Sequence, residues 1–373
     1  GQLGRFSVES GLNSLEPKST ISYEGFTDCN HVYGFHDKAF HLVSVTCKST
    51  LLSVDCGGGH RLWQVCGDWF YYLRDGCLNT VSLGNPQMQS LKPGLHGLEL
   101  RCMLDLDDGC TITGGEDGAL FLLNPSCALY KVQFDAAIKA MCQYGDLIIL
   151  CGAKGLLAAV RVDSSIISLI KHTFLPNGHC RNMCVNVLND TLLVGCSDGS
   201  LYQVDPHTFS ILGVKSKFQS PNCIMCMEVT DEHILLGTSN GLVHVLDHQF
   251  QLLQTLDAHC SAAVFAIKKF KNYILTCGDD GYISVLDLLG DGSFEIKTRT
   301  QVHNAAITGL HVHGDCINTC SLDQTSCCFT LEDGNDGCLL LLQVKSNIKV
   351  PVSDAQCISS NFIGGRGLYP WYY

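Results

Sequence analysis

A turn motif recurs along most of the chain at nearly constant spacing. Each copy is an apolar run, a short turn that usually ends in glycine, and a second apolar run, as in TITGGEDGALFLLN and ILTCGDDGYISVLD. Successive turn positions lie 37 to 44 residues apart. They are Gly76, Gly118, Gly155, Gly199, Gly241, Gly281, Gln324 and Gly367. This spacing indicates a fold of stacked equivalent units, because a single copy cannot bury both of its faces.

Each copy has the residue pattern of a β-hairpin. The turns are rich in glycine, aspartate and asparagine, which tolerate the positive φ that tight hairpins need. The flanking runs are apolar, as is typical of strands buried between neighbouring sheets. An apolar residue opens a further strand about 17 residues before each of six turns. These residues are Leu100, Ile138, Met183, Ile224, Val264 and Ile307.

A period near 42 residues is typical of four-stranded blades in a WD-repeat β-propeller. We therefore predict an all-β propeller of seven four-stranded blades, with extra edge strands at both termini and with eight blades as the alternative. Residues 1–28 are predicted as a flexible or partial N-terminal segment. Residues 29–373 are predicted as one propeller domain of about seven repeats, closed into a ring by terminal strands that protect open edges. Alternatively, the terminal units belong to a neighbouring propeller.

The turns also carry part of the WD-repeat polar set. Their aspartates are Asp117, Asp198, Asp280 and Asp323, and we interpret them as structural. Candidate histidine partners are His96, His259 and His303. The strand position that holds tryptophan in the consensus holds Leu123, Val204, Leu246, Leu286 and Phe329. Apolar packing must therefore carry more of the stability of each blade.

The charge and the cysteine content exclude several classes of protein. The net charge of −12 excludes a generally basic nucleic-acid wrapper, so any RNA contact must be local or shared with a partner. The 23 cysteines are an odd number in a chain without an apolar run of bilayer length. We interpret them as reduced, which predicts a cytoplasmic protein. Cys223 and Cys226 have CxxC spacing but lie on a predicted strand, so we predict buried apolar packing and no metal.

The sequence contains no G-x-S-x-G, no P-loop, no dinucleotide fingerprint and no H-E-x-x-H. We therefore predict a protein that is not an enzyme and needs no cofactor. A propeller enzyme with a site in its central channel is the alternative, since this fold also hosts catalysis.

Two segments are candidate binding sites. In SVDCGGGHRLWQV the glycines Gly57, Gly58 and Gly59 precede His60, Arg61 and Trp63, and Arg and Trp are favoured at binding hot spots. The alternative is a tight loop with Trp63 in the core. The second segment, AIKKFKNYI, is predicted as a loop. It places Lys268, Lys269 and Lys271 beside Phe270 and Tyr273, where they would meet phosphate or an acidic partner, or simply face solvent.

The passage VYGFHDKAFHLVSVTCKSTLLSVDCGGGHRLWQV, with the strand YYLRDG after it, resembles a signature of one WD-repeat family. That family is the large regulatory subunit of the tRNA wobble-nucleotide 2′-O-ribose methyltransferase. LHGLELRCMLDL, AAITGLHVHGDCINTCSLDQ and IGGRGL resemble later family passages. The resemblance runs from about residue 29 to the end. Family members are longer, so the chain resembles their C-terminal propeller region; TSCCF stands where the family more often has a tryptophan.

The resemblance implies a non-catalytic scaffold. In that family the subunit binds a separate S-adenosylmethionine-dependent tRNA 2′-O-methyltransferase, which holds the methyl donor and the catalytic residues, and it helps to position tRNA. Arg101, in the matching LHGLELRC passage, joins the candidate partner- or tRNA-binding residues. Neither a membrane nor a small-molecule substrate is expected. The alternative is a general protein-interaction scaffold, such as a ubiquitin-ligase substrate receptor or a trafficking adaptor.

Overall fold

The computed structural model describes residues 4–7, 11–15, 22–26, 31–44, 49–66, 69–74, 77–83, 96–123, 129–163, 166–176, 180–215, 222–333, 339–350, 352 and 354–370. The chain forms two compact units, residues 1–94 with 368–371 and residues 95–367 with 372–373. Within the described ranges, no helix has both the length and the apolar character needed to span a bilayer. Each unit is described separately below.

The first unit contains three antiparallel sheets, formed by β1–β2, β3–β6 and β7–β9 in chain order. The strands are β1 (Gly4–Ser7), β2 (Gly11–Leu15), β3 (Ser22–Phe26), β4 (His31–His36), β5 (Ala39–Ser44), β6 (Ser49–Asp55), β7 (Trp63–Cys66), β8 (Trp69–Arg74) and β9 (Cys77–Ser82). Aromatic side chains pack between the second and third sheets, since the rings of Phe40 and Phe70 stack at 3.8 Å and Phe35 packs against Trp63 at 4.9 Å. This core holds the loop between β6 and β7.

The second unit begins with three four-stranded antiparallel sheets in chain order. Their strands are β10 (Leu100–Asp105), β11 (Thr111–Gly115), β12 (Ala119–Leu123), β13 (Leu129–Gln133), β14 (Ile138–Tyr144), β15 (Leu147–Gly152), β16 (Leu156–Asp163), β17 (Ile166–Phe174), β18 (Asn182–Leu188), β19 (Thr191–Cys196), β20 (Leu201–Val204) and β21 (Ile211–Lys215). A 3-10 turn, Ala153–Gly155, joins β15 to β16.

Three further four-stranded sheets follow in the same order. Their strands are β22 (Ile224–Val229), β23 (Ile234–Thr238), β24 (Leu242–Leu246), β25 (Leu252–Asp257), β26 (Val264–Phe270), β27 (Tyr273–Gly278), β28 (Tyr282–Leu288), β29 (Phe294–Gln301), β30 (Ile307–His313), β31 (Cys316–Ser321), β32 (Thr325–Asp333) and β33 (Leu339–Lys349). A smaller sheet contains β34 (Cys357–Ile358) and β35 (Phe362–Gly365), and β36 (Gly367–Pro370) ends the described chain.

The sheets of the second unit form a closed ring. The first strand of each sheet, called the inner strand below, contacts the inner strand of the next sheet, from β10 through β14, β18, β22, β26 and β30 to β34. β10 in turn contacts β34 and β35, which closes the ring. Aliphatic side chains fill the space between successive sheets; Leu122, Ile138 and Leu150, for example, belong to one buried cluster. The predicted all-β propeller is therefore confirmed, whereas seven four-stranded blades and the boundaries of one domain at 29–373 stay predictions.

The predicted turn tips are confirmed where the structure describes them. Positive φ values between 62° and 85° occur at Gly118, Gly155, Gly199, Gly241, Gly281 and Gln324. Gly76 lies outside the described residues, and Gly367 begins β36. The side chains at the tryptophan position are all buried, as at Leu246 and Leu286. One strand start was predicted wrongly, because β18 begins at Asn182, which pairs with Cys196, so Met183 is its second residue.

Candidate interaction sites

Every inner strand from β10 to β30 carries a β-bulge at its second residue. In β22, for example, Ile224 pairs with Thr238 and Cys226 with Gly237, which leaves Met225 without an opposite residue. A bulge bends its strand and re-aims the extra side chain. The six bulge residues are all half-buried: Arg101, Lys139, Met183, Met225, Phe265 and Thr308. We call this set the bulge rim.

Three neighbouring members of the bulge rim are apolar. Met183, Met225 and Phe265 lie on consecutive inner strands, so they form a continuous apolar arc. Methionine is flexible and polarisable, and it adapts to differently shaped partners. Large apolar side chains that remain partly exposed at equivalent positions of successive repeats are typical of a protein-binding surface.

The other side of the bulge rim is an ion network. Arg101 pairs with Glu99 at 2.7 Å and with Glu116 at 2.6 Å, and it donates a hydrogen bond of 2.7 Å to Gln356. Lys139 of the next sheet pairs with the same Glu116 at 3.0 Å. Burial raises the pKa of Glu116, but the hydrogen bonds and charges of Lys139 and Arg101 outweigh it and hold the pKa below its ordinary value. Arg101 thus ties β10 to the last sheet of the ring.

The turn aspartates hold buried histidines. His259 bonds Asp280 through Nδ1 at 3.0 Å and the Thr276 hydroxyl through Nε2 at 2.9 Å. The same arrangement joins His96, Asp117 and Thr113, and also His303, Asp323 and Thr319. Burial lowers the pKa of His259 and of His303, although the facing carboxylates oppose this. A neutral ring suits the site, since one nitrogen can then donate to the carboxylate and the other can accept from the hydroxyl.

Asp198 is the fourth predicted turn aspartate. Its Oδ1 accepts the backbone N–H of Ser200 at 3.0 Å, as Asp117 accepts that of Ala119. The histidine position of this repeat lies outside the described residues. The turn aspartates are therefore engaged in holding turns and histidines.

One cysteine, buried in every sheet but the first, where Cys102 is half-buried, faces a small residue across the first two strands of each sheet in the ring. The cysteine is on the inner strand in some sheets and on the second strand in others. The pairs are Cys102–Gly114, Ala140–Cys151, Cys184–Gly195, Cys226–Gly237, Ala266–Cys277, Gly309–Cys320 and Cys357–Gly364. A Cβ on Gly237 would lie 2.5 Å from the Cys226 sulfur, so each pair has room for one sulfur only.

These thiols are packing groups with little nucleophilic character. Burial raises the pKa of Cys102 and of Cys320 to about 12, so both remain protonated near neutral pH. Among the described residues, no group of three or more His, Cys, Asp and Glu side chains is placed to hold a metal ion. Of the CxxC pair, Cys226 is buried in β22, whereas Cys223 precedes the strand and burial raises its pKa to about 11.

The glycine loop of the first unit needs all three of its glycines. Gly57 and Gly58 have φ values of 86° and 99°, which other residues rarely adopt. A Cβ on Gly59 would lie 2.9 Å from the ring of Phe35. Trp63 donates its indole N–H to the Gly59 carbonyl at 2.9 Å, so it supports the loop from the core side. We call residues 57–63 the glycine loop.

His60 and Arg61 lie on the other side of the glycine loop and are exposed. Within the described part of the chain, the Arg61 side chain forms no hydrogen bond and no ion pair. The stem of Arg61 lies over Gly57, where a Cβ would be 3.4 Å from its Cγ. The loop therefore presents a positioned but unpaired guanidinium to solvent.

The lysine segment has a different structure from the predicted loop. Lys268 and Lys269 lie within β26, and Lys271 is in the following turn with a φ of 54°. Each ammonium has a carboxylate partner: Lys268–Glu228 at 3.8 Å, Lys269–Asp231 at 3.1 Å and Lys271–Asp315 at 2.7 Å. Phe270, predicted to interleave with them, is buried at 2% exposure and unavailable for stacking. The structure thus favours a solvated, charge-paired segment here.

The bulge rim is the feature that sequence reasoning missed. Its signal was present in the sequence, because each bulge residue directly follows the apolar or polar residue that begins an inner strand. Five of those strand-opening residues were identified correctly, yet only Arg101 of the rim was singled out, and for its motif. The bulge itself depends on pairing with a second strand, which a linear reading does not show.

Comparisons with known proteins agree with this geometry. The family model described as the Vps42 beta-propeller matches residues 210–307. A search of curated proteins finds no match. The structure described as "Crystal structure of WD40 beta propeller domain of Doa1" is similar at 12% identity with a TM-score of 0.58, covering 74% of this chain and 94% of that one. A chain of the "Crystal Structure of Mitotic Checkpoint Complex" is similar at 14% identity with a TM-score of 0.59, covering 74% and 90%.

Likeness at such low identity carries information about the fold alone. The described sheets, their ring of inner strands and the histidine–aspartate turns lead to the same fold as these similar structures. The chain contains a β-propeller whose fold is similar to that of the WD40 propeller domain of Doa1.

Proposed function

We propose that the chain is a non-catalytic scaffold that binds a tRNA 2′-O-ribose methyltransferase and helps to position tRNA for methylation of the wobble nucleotide. The observation that carries the scaffold part is the bulge rim, with its apolar arc of Met183, Met225 and Phe265 on consecutive inner strands. The buried, protonated thiols and the structurally engaged aspartates leave the partner to supply the chemistry.

The identity of the partner is proposed from the sequence resemblance. The passages around the glycine loop and around Glu99 and Arg101 resemble the regulatory subunit of that methyltransferase. The net charge of −12 fits a division of labour in which the partner supplies much of the positive surface for tRNA.

Affinity purification tests the proposal. The full chain is recovered from cell extract, and the co-purifying proteins and RNAs are identified by mass spectrometry and sequencing. We expect a methyltransferase together with tRNA. A soluble, folded chain that recovers neither would contradict the proposal.

The contact surface is tested by substitution within one sheet. Met225→Asp in the inner strand β22 should abolish recovery of the methyltransferase, because a carboxylate would be desolvated in an apolar contact. The control is Leu253→Asp in the outer strand β25 of the same sheet, where the side chain is 54% exposed. Equal loss in both variants would mean that the bulge rim is not the contact surface.

A general protein-interaction scaffold is the second candidate, and the apolar arc favours it. Contacts made by methionine and phenylalanine resist added salt, whereas contacts to phosphates weaken steeply. Recovery of proteins unrelated to tRNA modification, unchanged by high salt and by RNase treatment, would select this candidate.

A further inference from the structure

A cavity lies beside the glycine loop of the first unit. Its volume is about 360 Å³, and it is lined by Lys38, Asp55, Cys56, Gly57, His60, Arg61, Leu73 and Arg74. Asp55 is the one carboxylate of this lining, and it pairs with Arg74 at 3.2 Å. Arg74 also donates a hydrogen bond of 2.7 Å to the Asp55 carbonyl.

The cavity is therefore cationic in an acidic chain. Within the described ranges, neither Lys38 nor Arg61 has a carboxylate partner. The nearby Asp37 lies outside the lining and pairs with His36 at 3.5 Å. Two unpaired cations beside a neutralised third one form a site for an anion, and a guanidinium binds phosphate in two-pronged fashion.

A second cavity provides an internal contrast. It has a volume of about 430 Å³ between β22–β25 and β26–β29, and its lining includes Lys269 and Lys271. Asp231, Glu232 and Asp287 also line it, so carboxylates outnumber the lysines. Of these two cavities in the described part of the chain, the one beside the glycine loop has the excess of positive charge.

The sheet next to this cationic cavity has an exposed aromatic face. Trp69, Tyr71 and Leu73 alternate along β8 and therefore share one face, while Phe70 on the other face is buried. Trp69 is 46% exposed and Tyr71 is half-buried. Leu73 lines the cavity, so the aromatic face leads directly into it.

We propose that this face of the β7–β9 sheet binds single-stranded RNA, an inference that rests on the proposed function. Lys38 and Arg61 hold a backbone phosphate in the cavity, and bases stack on Trp69 and Tyr71. Aromatic stacking beside a cationic groove is how proteins bind single-stranded nucleic acid without a deep pocket. A protein partner fits less well, since the unpaired cations and flat aromatic surface lie together.

Fluorescence anisotropy with the purified full chain tests the inference. The probe is a labelled single-stranded RNA of about ten nucleotides, within the site sizes of such domains. Arg61→Ala should weaken binding about tenfold, because a charged hydrogen-bond pair to phosphate is removed. Trp69→Ala should weaken binding about fivefold or more through lost stacking. Arg61→Ala should also lower the salt dependence of binding by about one phosphate contact.

The control is the double variant Lys269→Ala with Lys271→Ala, which removes two charges from the other cavity and should leave binding unchanged. Thermal melting of all variants confirms that they fold, and Arg61→Lys should restore part of the affinity. Equal losses in the control, or unchanged binding by Arg61→Ala, would overturn the inference. So would full displacement of the RNA by an equimolar amount of inorganic phosphate, which would indicate a site for the free anion.

The two proposals can fail separately. If tRNA and the methyltransferase co-purify with Arg61→Ala and wild type alike, while neither form binds the probe, the RNA face is wrong and the scaffold function stands. If the wild-type chain binds the probe through this face but recovers neither the methyltransferase nor tRNA, the scaffold function is wrong.

Discussion

The thiol sulfur of Cys226 lies 3.5 Å from the carbonyl oxygen of Val264, the first residue of the inner strand in the next sheet. Cys151, Cys277 and Cys357 make the same contact with Asn182, Ile307 and Leu100 at 3.7 to 4.0 Å. Each acceptor carbonyl directly precedes a bulge residue. A bulge interrupts the hydrogen-bond ladder between strands. The thiol, a weak donor, therefore gives the carbonyl before the bulge a hydrogen-bond partner.

The cysteine–glycine pair predicts a steric test. Gly237→Ala should lower the free energy of unfolding by about 1–3 kcal/mol, because the new Cβ would lie 2.5 Å from the Cys226 sulfur and 2.9 Å from Val264 Cγ1. Chemical denaturation measures the loss. A variant as stable as wild type would show that the pair has spare volume.

A second substitution should restore the stability that Gly237→Ala removes, because the cysteine lies on the inner strand in some sheets and on the second strand in others. The double variant Cys226→Ala with Gly237→Cys copies the arrangement Ala266–Cys277 of the following sheet. We expect its stability to exceed that of Gly237→Ala alone, since the Cys226 sulfur that lies 2.5 Å from the new Cβ has been removed. A double variant worse than Gly237→Ala alone would contradict the equivalence of the two arrangements.

Asn318 predicts a stabilising substitution. It is fully buried in β31, and among the described residues its amide nitrogen and oxygen have no hydrogen-bond partner. The same register position in the preceding sheet holds Leu275, which is also fully buried. Asn318→Leu should raise the free energy of unfolding by about 1–3 kcal/mol, because an unpaired amide no longer has to be desolvated. A decrease would indicate that ordered water satisfies the amide.

The buried histidines predict acid sensitivity. Burial lowers the folded-state pKa of His259 and His303 below their ordinary value of 6.5, so below that pH the unfolded chain binds protons that the folded chain does not. Stability should be complete above pH 6.5 and fall as the pH is lowered, by at most about 1.4 kcal/mol per pH unit for each histidine. The lowered pKa of Asp117 and Asp323 adds a loss only below their ordinary value of 3.8.

Denaturation between pH 7.5 and 4.5 checks this pH dependence. His259→Gln should be less stable at neutral pH but should show a shallower pH slope than wild type. His172→Gln, which changes an exposed histidine in β17, is the matched control and should keep the wild-type slope. Identical slopes in all three proteins would contradict the assignment.

Arg101 and Arg161 predict different energies for two ion pairs. Arg101→Ala should destabilise by about 1–3 kcal/mol, because Glu99 and Glu116, whose side chains are 18% and 30% exposed, lose their shortest ion pairs and keep only Arg366 at 3.4 Å and Lys139 at 3.0 Å. Arg161→Ala breaks the pair with Asp146, which is 71% exposed, and should cost no more than about 1 kcal/mol. Thermal and chemical unfolding compare the two. A small effect of Arg101→Ala would mean that the ring closes without this network.

The turns could be predicted from sequence because their chemistry is local. An Asp-Gly or Asn-Gly tip, as at Gly118 or Gly241, demands positive φ wherever it occurs, and the structure has it there. The same spacing places Gly76, which lies outside the described residues, 42 residues before Gly118. The strands before and after it in sequence, β8 and β9, lie in the first unit.

The interaction sites were harder to predict because they depend on pairing between distant segments. The three glycines before Arg61 marked it as a candidate in the sequence. Its cavity is also lined by Lys38, from the turn between β4 and β5, and by Arg74, at the end of β8, and the sequence does not show that these residues meet. The lysine segment looked basic in sequence, yet its carboxylate partners Glu228, Asp231 and Asp315 lie on other elements. A cluster of charged residues in the sequence does not show which oppositely charged side chains the fold places beside it.

The cysteine exchange between strands also bears on how repeats of this kind are aligned. What stays constant from sheet to sheet is the composition of a cross-strand pair, since one side chain carries the sulfur and the other is glycine or alanine. Scored one position at a time, Cys184 and Ala140 look like unrelated residues. Compared as cross-strand pairs, Cys184–Gly195 and Ala140–Cys151 are the same unit of one cysteine opposite one small residue. Copies of this repeat are therefore better aligned by covarying pairs than by single columns.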